Sequence, residues 1–339
     1  MDSLTQIVLG SSVSVAVLGK RTAIGKSAFW GGLAGLLPDL DVLIDHGDAV
    51  LNMIRHRAES HSLIFLSLLA FPIAWAISRL HKEEHLRLRW ILAIWLSLVT
   101  HPLLDLMTIY GTQALLPFTD KAWGLGSVFI IDPAYMFPLY GGLLLALFCR
   151  EKRVDRGMSL NRLGLLVSTF YLAWSVLAQM WVLHHARMSL RAQGLPTHSL
   201  LATPSPFNTV LWRVVALDGD LFFEGFYSFF DGKRHVRFKH HLRHEDLISA
   251  NAGNPQVKRM IHLTGGFLKM QQKGTNLWIT DLRMGQEPSY VFNFDIGPAL
   301  APGQLPPPAK QRNYQTNFGP ALRWLGRRIL GEDLDPPTT

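Results

Sequence analysis

Three short clusters carry most of the residues able to do chemistry. "LLPDLD" brings Asp39 and Asp41; "HRAESHS", residues 56–62, brings His56, Arg57, Ser60 and His61; "THPLLD" brings His101 and Asp105. Residues four apart share a helix face, so His101 and Asp105 are presented together. Neutral imidazole and carboxylate oxygens are good ligands for zinc and similar divalent ions. Each cluster alone has an ordinary explanation. "PD" is a common turn pair, His56–Arg57 fits an interfacial basic cluster, and a single intramembrane histidine is often only a hydrogen-bonded interior residue. Convergence of all three on one membrane edge points instead to a metal site.

The elements that must position them read as membrane helices. Of 339 residues, 48% are hydrophobic and 17% charged, where about a quarter charged is usual for soluble chains. Apolar stretches at 62–80, 90–110, 133–149 and 163–183 approach or reach the ~20 residues that span a bilayer. Two shorter ones, 4–19 and 27–37, predict a shallow or re-entrant hairpin buried against protein, because lipid cannot satisfy free backbone groups. A charged group at membrane depth costs about 2.5–3.5 kcal/mol on insertion scales. His101 and Asp105, set in apolar sequence, therefore call for pairing or metal coordination.

The net charge of +8 does not indicate nucleic acid, because many cations flank the apolar stretches. Lys20, Arg21 and Lys26 lie between the short stretches; Arg79, Lys82, Arg87 and Arg89 between the first two long ones; Lys152, Arg153, Arg156 and Arg162 between the last two. Loop 111–132 holds only Lys121. The positive-inside rule puts the basic loops in the cytoplasm. Segment 38–61, loop 111–132, both termini and everything after residue 183 then lie outside. The start, "MDSLTQIVLG", lacks the positive charge of a cleavable signal peptide. The lone Cys149 excludes an intramolecular disulfide and a Cys-rich zinc site.

The second half changes character. Residues 191–207 read as a linker rich in Pro, Ser and Thr. From 208 to 300, "TVLWRVVAL", "LFFEGFYSFF", "LWITDL" and "SYVFNFDI" are β-branched and aromatic runs separated by turn signals. The last predicts one half-buried strand with Tyr290, Phe292 and Phe294 on one face. The fold class is thus an α-helical membrane domain (1–190; about four spans plus a short N-terminal hairpin) followed by a small α+β, mainly antiparallel β, soluble domain. A Pro-rich segment and amphipathic tail (301–339) close the chain. In the tail, Leu322, Leu325 and Ile329 share a helix face beside Trp324, Arg323, Arg327 and Arg328. This predicts a short interfacial helix lying along the membrane and tethering the β domain over the site, with packing on the β domain itself as the alternative. His235, His240, His241 and His244 read as basic solvated surface rather than a metal site.

The ordered set "MDSLTQ", "LPDLD", "HRAESHS", "THPLLD", "YGTQ" and "IIDP" resembles the YdjM-like family of inner-membrane metal-dependent hydrolases, some described as LexA-regulated or LexA-binding. The resemblance covers about residues 1–185. It implies a distant likeness to the zinc-dependent phospholipase C and P1 nuclease group, with His56, His61, His101 and Asp105 as ligands and Asp39 and Asp41 as the acidic motif. Ala58 stands where the family often has Gly. Gln6 stands where some members have His, and no ligand role is carried to it.

The expected site is therefore His56, His61, His101, Asp105 and Asp39 around a divalent metal, most simply Zn²⁺. Asp39 or Asp41 would serve as general base, Arg57 would bind an anionic substrate or else snorkel, and Asp2, Ser60 and Asp132 would give support. A divalent ion activates water and polarises a phosphoryl or carbonyl oxygen. At the outer face of the cytoplasmic membrane it would meet membrane lipids, so a phospholipid or other lipid-linked ester is the expected substrate and no nucleic acid partner is expected; the partner of the β-rich domain is left open. No Gly-x-Ser-x-Gly elbow and no Gly-rich phosphate loop compete with this reading. Two alternatives remain: a proton- or ion-coupled transporter, and a non-catalytic scaffold in which metal braces the helices. A reporter fused after residue 190 should be active only as a periplasmic fusion; activity only as a cytoplasmic fusion would invert the topology.

Overall fold

The computed structural model describes residues 1–149, 154–232, 234–301, 303–312 and 318–337. Lys152 and Arg153 of the basic loop, and Pro302 of the Pro-rich segment, lie outside them. In chain order the helices are α1 (Ser3–Leu18), α2 (Ile24–Leu36), α3 (Ala49–Arg55), α4 (Leu63–Leu80), α5 (Arg87–Asp105), α6 (Pro133–Leu147), α7 (Val154–Ala192), α8 (Glu245–Ala250), α9 (Pro255–Thr264) and α10 (Phe318–Ile329). The chain forms two units: residues 1–44 with 55–175, and residues 45–54 with 176 onward.

The first unit is helical. Asp2 caps α1 by accepting from the Thr5 amide at 2.9 Å and its hydroxyl at 2.6 Å, and Gly19 ends it at φ +60°. α1 and α2 form an antiparallel hairpin whose contact is built from small residues, as in membrane helix pairs. Ser11 Oγ donates to Ala28 O at 2.7 Å, and Ser14 Oγ meets Ser27 Oγ at 3.1 Å. A Cβ placed on Gly31 would lie 2.4 Å from Gly10 O, and one on Gly35 would lie 2.4 Å from Gln6 O. α5 runs antiparallel to α1, with Ser97 Oγ donating to Gly10 O at 2.9 Å. Trp90, Ile94 and Leu98 of α5 pack on Leu66, Ala70 and Ala74 of α4. Asp132 caps α6, accepting from Ala134 N at 3.0 Å and from Tyr171 OH at 2.7 Å.

Four helical segments of the described residues are long and apolar enough to cross a membrane: Ser3–Arg21, Leu63–Leu80, Glu84–Asp105 and Val154–Ala192. The apolar stretches predict a partly different four. α1 with its terminal 3₁₀ turn is a full-length candidate rather than a short stretch, because its serines turn inward onto α2 and leave the outer face apolar. α6, expected at 133–149, has only 15 residues. α5 stops at Asp105, not near 110, and the chain beyond it is irregular as far as Asp132.

The second unit is mainly antiparallel β. β1 (Ser199–Pro204), β2 (Leu211–Asp218), β3 (Leu221–Ser228) and β4 (Phe238–Leu242) form one sheet in sequence order. β5 (Leu268–Lys273), β6 (Asn276–Asp281), β9 (Asn293–Asp295) and β10 (Lys310–Gln311) form a second, ordered β10-β9-β6-β5, and β7 (Gly285–Gln286) pairs with β8 (Ser289–Tyr290). β2 is buried on both faces with period 2: Trp212 and Val214 pack on Ala178, Val182 and Ala186 of α7, while Val215 and Leu217 pack on Phe222, Leu282 and Tyr290. Buried Arg213 of β2 donates to Glu224 of β3 at 2.6 Å. α3 belongs here too, its Ala49 N donating to Ala309 O at 3.1 Å.

Three expectations are corrected. Segment 191–207 holds the end of α7 and the whole of β1. "SYVFNFDI" is two strands, β8 and β9, not one. The tail helix α10 packs on its own sheet: Trp324 and Leu325 bury against Leu211 with Phe226, and Arg328 donates to Asp231 at 2.7 Å and Phe226 O at 2.8 Å. Leu325 and Ile329 of the apolar stripe thus have a protein partner, while Leu322 stays exposed.

The α1–α2 contact yields a direct test. Gly31→Val should lower the thermal midpoint of the detergent-solubilised protein, as overpacking costs about 1–3 kcal/mol. Gly25→Ala, where nothing lies within 4 Å of the added carbon, should be neutral or slightly stabilising. Equal midpoints for the two variants would contradict the close approach.

Candidate metal centre

α2 ends in a 3₁₀ turn, Leu37–Leu43, with Pro38 at its start. The tighter winding sends Asp39 inward and Asp41 along its edge. Between His56 and His61 the chain reverses through Arg57 at φ +69° and a short 3₁₀ turn, Glu59–His61. Loop 106–132 holds this reversal in place: Gln113 N donates to Arg57 O at 2.9 Å, Leu63 N to Ala114 O at 3.0 Å, and Ser62 Oγ to Leu116 O at 2.6 Å. The third element is the last turn of α5, with His101 and Asp105.

Asp39, His61, His101 and Asp105 are buried and present one ligand atom each within 4.8 Å of one another. His61 Nε2 and His101 Nε2 are 3.1 Å apart. Asp105 Oδ2 lies 3.3 Å from His61 Nε2 and 3.5 Å from His101 Nε2. Asp39 Oδ1 lies 3.6 Å and 3.3 Å from the same nitrogens. A tetrahedral zinc with bonds of about 2.0–2.1 Å has ligand–ligand edges of roughly 3.3–3.4 Å; these five edges scatter around that value.

The hydrogen bonds behind the donors agree. His101 Nδ1 meets Gly35 O at 2.6 Å, so the carbonyl fixes the proton on Nδ1 and leaves Nε2 a lone pair. His61 Nδ1 meets Ser60 Oγ at 2.9 Å and lies 3.5 Å from Asp41 Oδ2. Metal-binding histidines characteristically use the other ring nitrogen in this way. Asp105 Oδ2 is buried with no hydrogen-bond partner of its own. Two imidazole nitrogens and a carboxylate oxygen that makes no hydrogen bond, although the Arg57 guanidinium stands beside it, face one point, so the donor set fits a divalent metal. The carboxylates show the same field outside the spans. Burial drives the His61 imidazole down, but Asp105, Asp39 and Asp41 outweigh it and push it up to about 9. For Asp39 and Asp41 burial drives the carboxyl up, and the hydrogen-bonded histidines hold both well below the usual range.

The structure separates the other expected residues from this group. His56, expected as a ligand, places Nδ1 on Asp41 Oδ1 at 2.7 Å and stays partly open to solvent. The His56 ring lies edge-on to that of His61, with centroids 5.9 Å apart, and is not one of the four clustered donors. Asp41 also accepts from Arg57 N at 3.1 Å and Ser60 Oγ at 2.5 Å. Arg57 neither snorkels nor faces solvent. It is buried, with Nε 3.2 Å from Asp105 Oδ2, NH1 donating to Thr108 Oγ1 at 3.1 Å, and its guanidinium 4.8 Å from the Tyr110 ring centre. Asp2 and Asp132 are helix caps and do not join the group. His235, His240, His241 and His244 form no such group among the described residues.

Gln6 is a site residue that its side-chain chemistry obscured. Its Nε2 donates to Asp105 Oδ1 at 3.1 Å and His101 O at 3.2 Å, orienting the ligand without being one. The α-amino group of Met1 also contacts Asp105 Oδ1. An amide in the apolar run "SLTQIVLG" was the available signal; Gly35, which acts through its carbonyl, offered none.

The two groups should separate by metal content. His61→Ala and His101→Ala should lose the metal of gently purified protein, whereas His56→Ala should retain it. Elemental analysis checks this, and loss in all three or in none would contradict the assignment.

The chain is similar to uncharacterized protein YfhP of Bacillus subtilis (strain 168), 30% identical over 142 residues. The aligned stretch spans 39% of this chain and 42% of that protein, less than half of either. No solved structure matches the chain. The family model described as YdjM inner membrane protein matches residues 1–182, over half of the 339 residues, and the chain belongs to that family of membrane proteins.

Proposed function

We propose that this protein is a membrane-bound, metal-dependent hydrolase of phospholipids or other lipid-linked phosphoesters. The observation that carries the proposal is the donor set itself, with a second carboxylate–imidazole pair, Asp41 and His56, beside it. Asp39, His61, His101 and Asp105 would hold the metal. A divalent cation there supplies a Lewis acid and lowers the pKa of water toward about 7.

The remaining roles belong to the chain. Asp41 accepts His56 Nδ1, which fixes the ring and leaves Nε2 as the proton-accepting atom. His56 is therefore the general base in this reading and Asp41 its orienting partner, in place of a carboxylate base. Arg57 offsets the buried charge of Asp105 instead of binding substrate. The substrate class follows from the rim. Beside Asp41 the chain exposes Leu40, Val42 at 70%, Leu43 at 79% and Ile44. Such an apolar patch at the end of membrane helices suits acyl chains. The outer face of the cytoplasmic membrane remains the proposed location, from the distribution of Lys and Arg.

A second reading has its own support. Four buried protein donors make a closed site, the usual form of structural zinc, and the metal would then only brace the helices. Metal-loaded protein in mixed micelles with a phospholipid panel decides between them. Hydrolysis that falls about 10²–10⁴-fold in His56→Gln, with metal content unchanged, supports general-base catalysis. Absence of turnover on every lipid by fully loaded protein would sink the hydrolase and leave the brace.

A further inference from the structure

At the opposite end of the helical unit, the ends of α1, α5 and α7 enclose a cavity of about 380 Å³ lined by Lys20, Arg21, Arg89 and Arg162. The cavity contains one carboxylate, Asp155, and that group pairs with Lys20. Arg21, Arg89 and Arg162 have no ion-pair partner among the described residues. They come from three separate helical elements: the turn after α1, the first turn of α5 and the first half of α7. Four cations around one carboxylate leave the cavity strongly positive; the side chains are exposed, so water and salt screen their repulsion and the cavity is open to an anion from outside.

We propose that this cavity binds the phosphate of an anionic ligand, with a membrane phospholipid headgroup as the favoured source. Guanidinium groups pair with phosphate in two-pronged fashion, and basic pockets between membrane helices suit anionic headgroups. Ala16, Val17 and Met158 form the apolar part of the lining, where glycerol and the first acyl carbons would rest. The cavity is not part of the metal centre. Arg89 and Asp105 are sixteen residues apart on one helix, roughly 24 Å at 1.5 Å per residue, so the two sites sit near opposite faces of the membrane. With basic loops in the cytoplasm, the phosphate site faces the inner leaflet.

Native mass spectrometry of the full chain tests this, with phosphatidylglycerol and phosphatidylcholine offered in equal amounts. Each cation near a membrane surface contributes about fivefold, so a preference for phosphatidylglycerol of at least about tenfold is expected. The triple variant Arg21→Gln, Arg89→Gln, Arg162→Gln should bring it to parity, and the matching triple Lys variant should keep most of it. A second arm offers inorganic phosphate alone. Variant-sensitive phosphate binding without lipid preference would assign the same site to soluble phosphate. If the Gln variant does not fold, a salt titration of the unmodified protein decides: the preference should shrink as salt rises. No lipid preference together with no phosphate binding, a preference unchanged in the Gln variant, or one insensitive to salt would overturn the proposal.

Discussion

The 3.1 Å approach of His61 Nε2 to His101 Nε2 is the constraint on which the helical unit turns. Something positive must sit between two imidazole nitrogens this close: a proton on His61, whose imidazole the carboxylates push up to about 9, or a metal ion that displaces it. Here the opposite ring nitrogens are already committed, one to Gly35 O and the other to Ser60 Oγ. Rotating either ring away would break those bonds and expose Asp39 and Asp105 to each other. A shared divalent cation in place of that proton would turn two carboxylates and two imidazoles into a cross-link. That link joins the end of α2, the reversal before α4 and the last turn of α5.

The rest of the unit prepares that meeting. Gly10, Gly31 and Gly35 let α1 and α2 approach until backbone touches backbone, which brings Gly35 O to His101 and Gln6 to Asp105. Larger residues there would shift a second-layer hydrogen bond rather than a ligand, and small shifts of this kind weaken metal sites as surely as ligand loss. Arg57 adds an electrostatic condition. The guanidinium beside buried Asp105 would leave less negative charge for a metal to offset.

Much of this was legible in the sequence because membrane depth makes polar residues conspicuous. His101 and Asp105 stood out against "ILAIWLSLVT", and the fixed i, i+4 geometry put them together. The irregular segments were harder. Asp39 and Asp41 are two apart, and only the 3₁₀ winding after α2 distinguishes the inward carboxylate from the edge one. His56 and His61 looked equivalent, but the chain reversal at Arg57, with its positive φ, commits His56 to Asp41 while His61 reaches the four-donor group. α1 looked too short to span, because the apolar stretch 4–19 did not count the turn that carries the helical segment on to Arg21. The tail looked equally suited to lipid and to protein until Leu211, Phe226 and Asp231 supplied its partner. Long apolar periodicities were thus readable, whereas turn geometry and the choice of partner were set by tertiary contacts.

The central claim is that one buried divalent ion is held by Asp39, His61, His101 and Asp105. X-ray absorption at the metal edge on gently purified full-length protein tests it most directly. The account predicts a zinc-like spectrum fitted by two imidazole nitrogens and two carboxylate oxygens at about 2.0–2.1 Å, with no sulfur, changed in His101→Ala and unchanged in His56→Ala. Protein that carries no stoichiometric metal, or a spectrum indifferent to His101 and sensitive to His56, would contradict it.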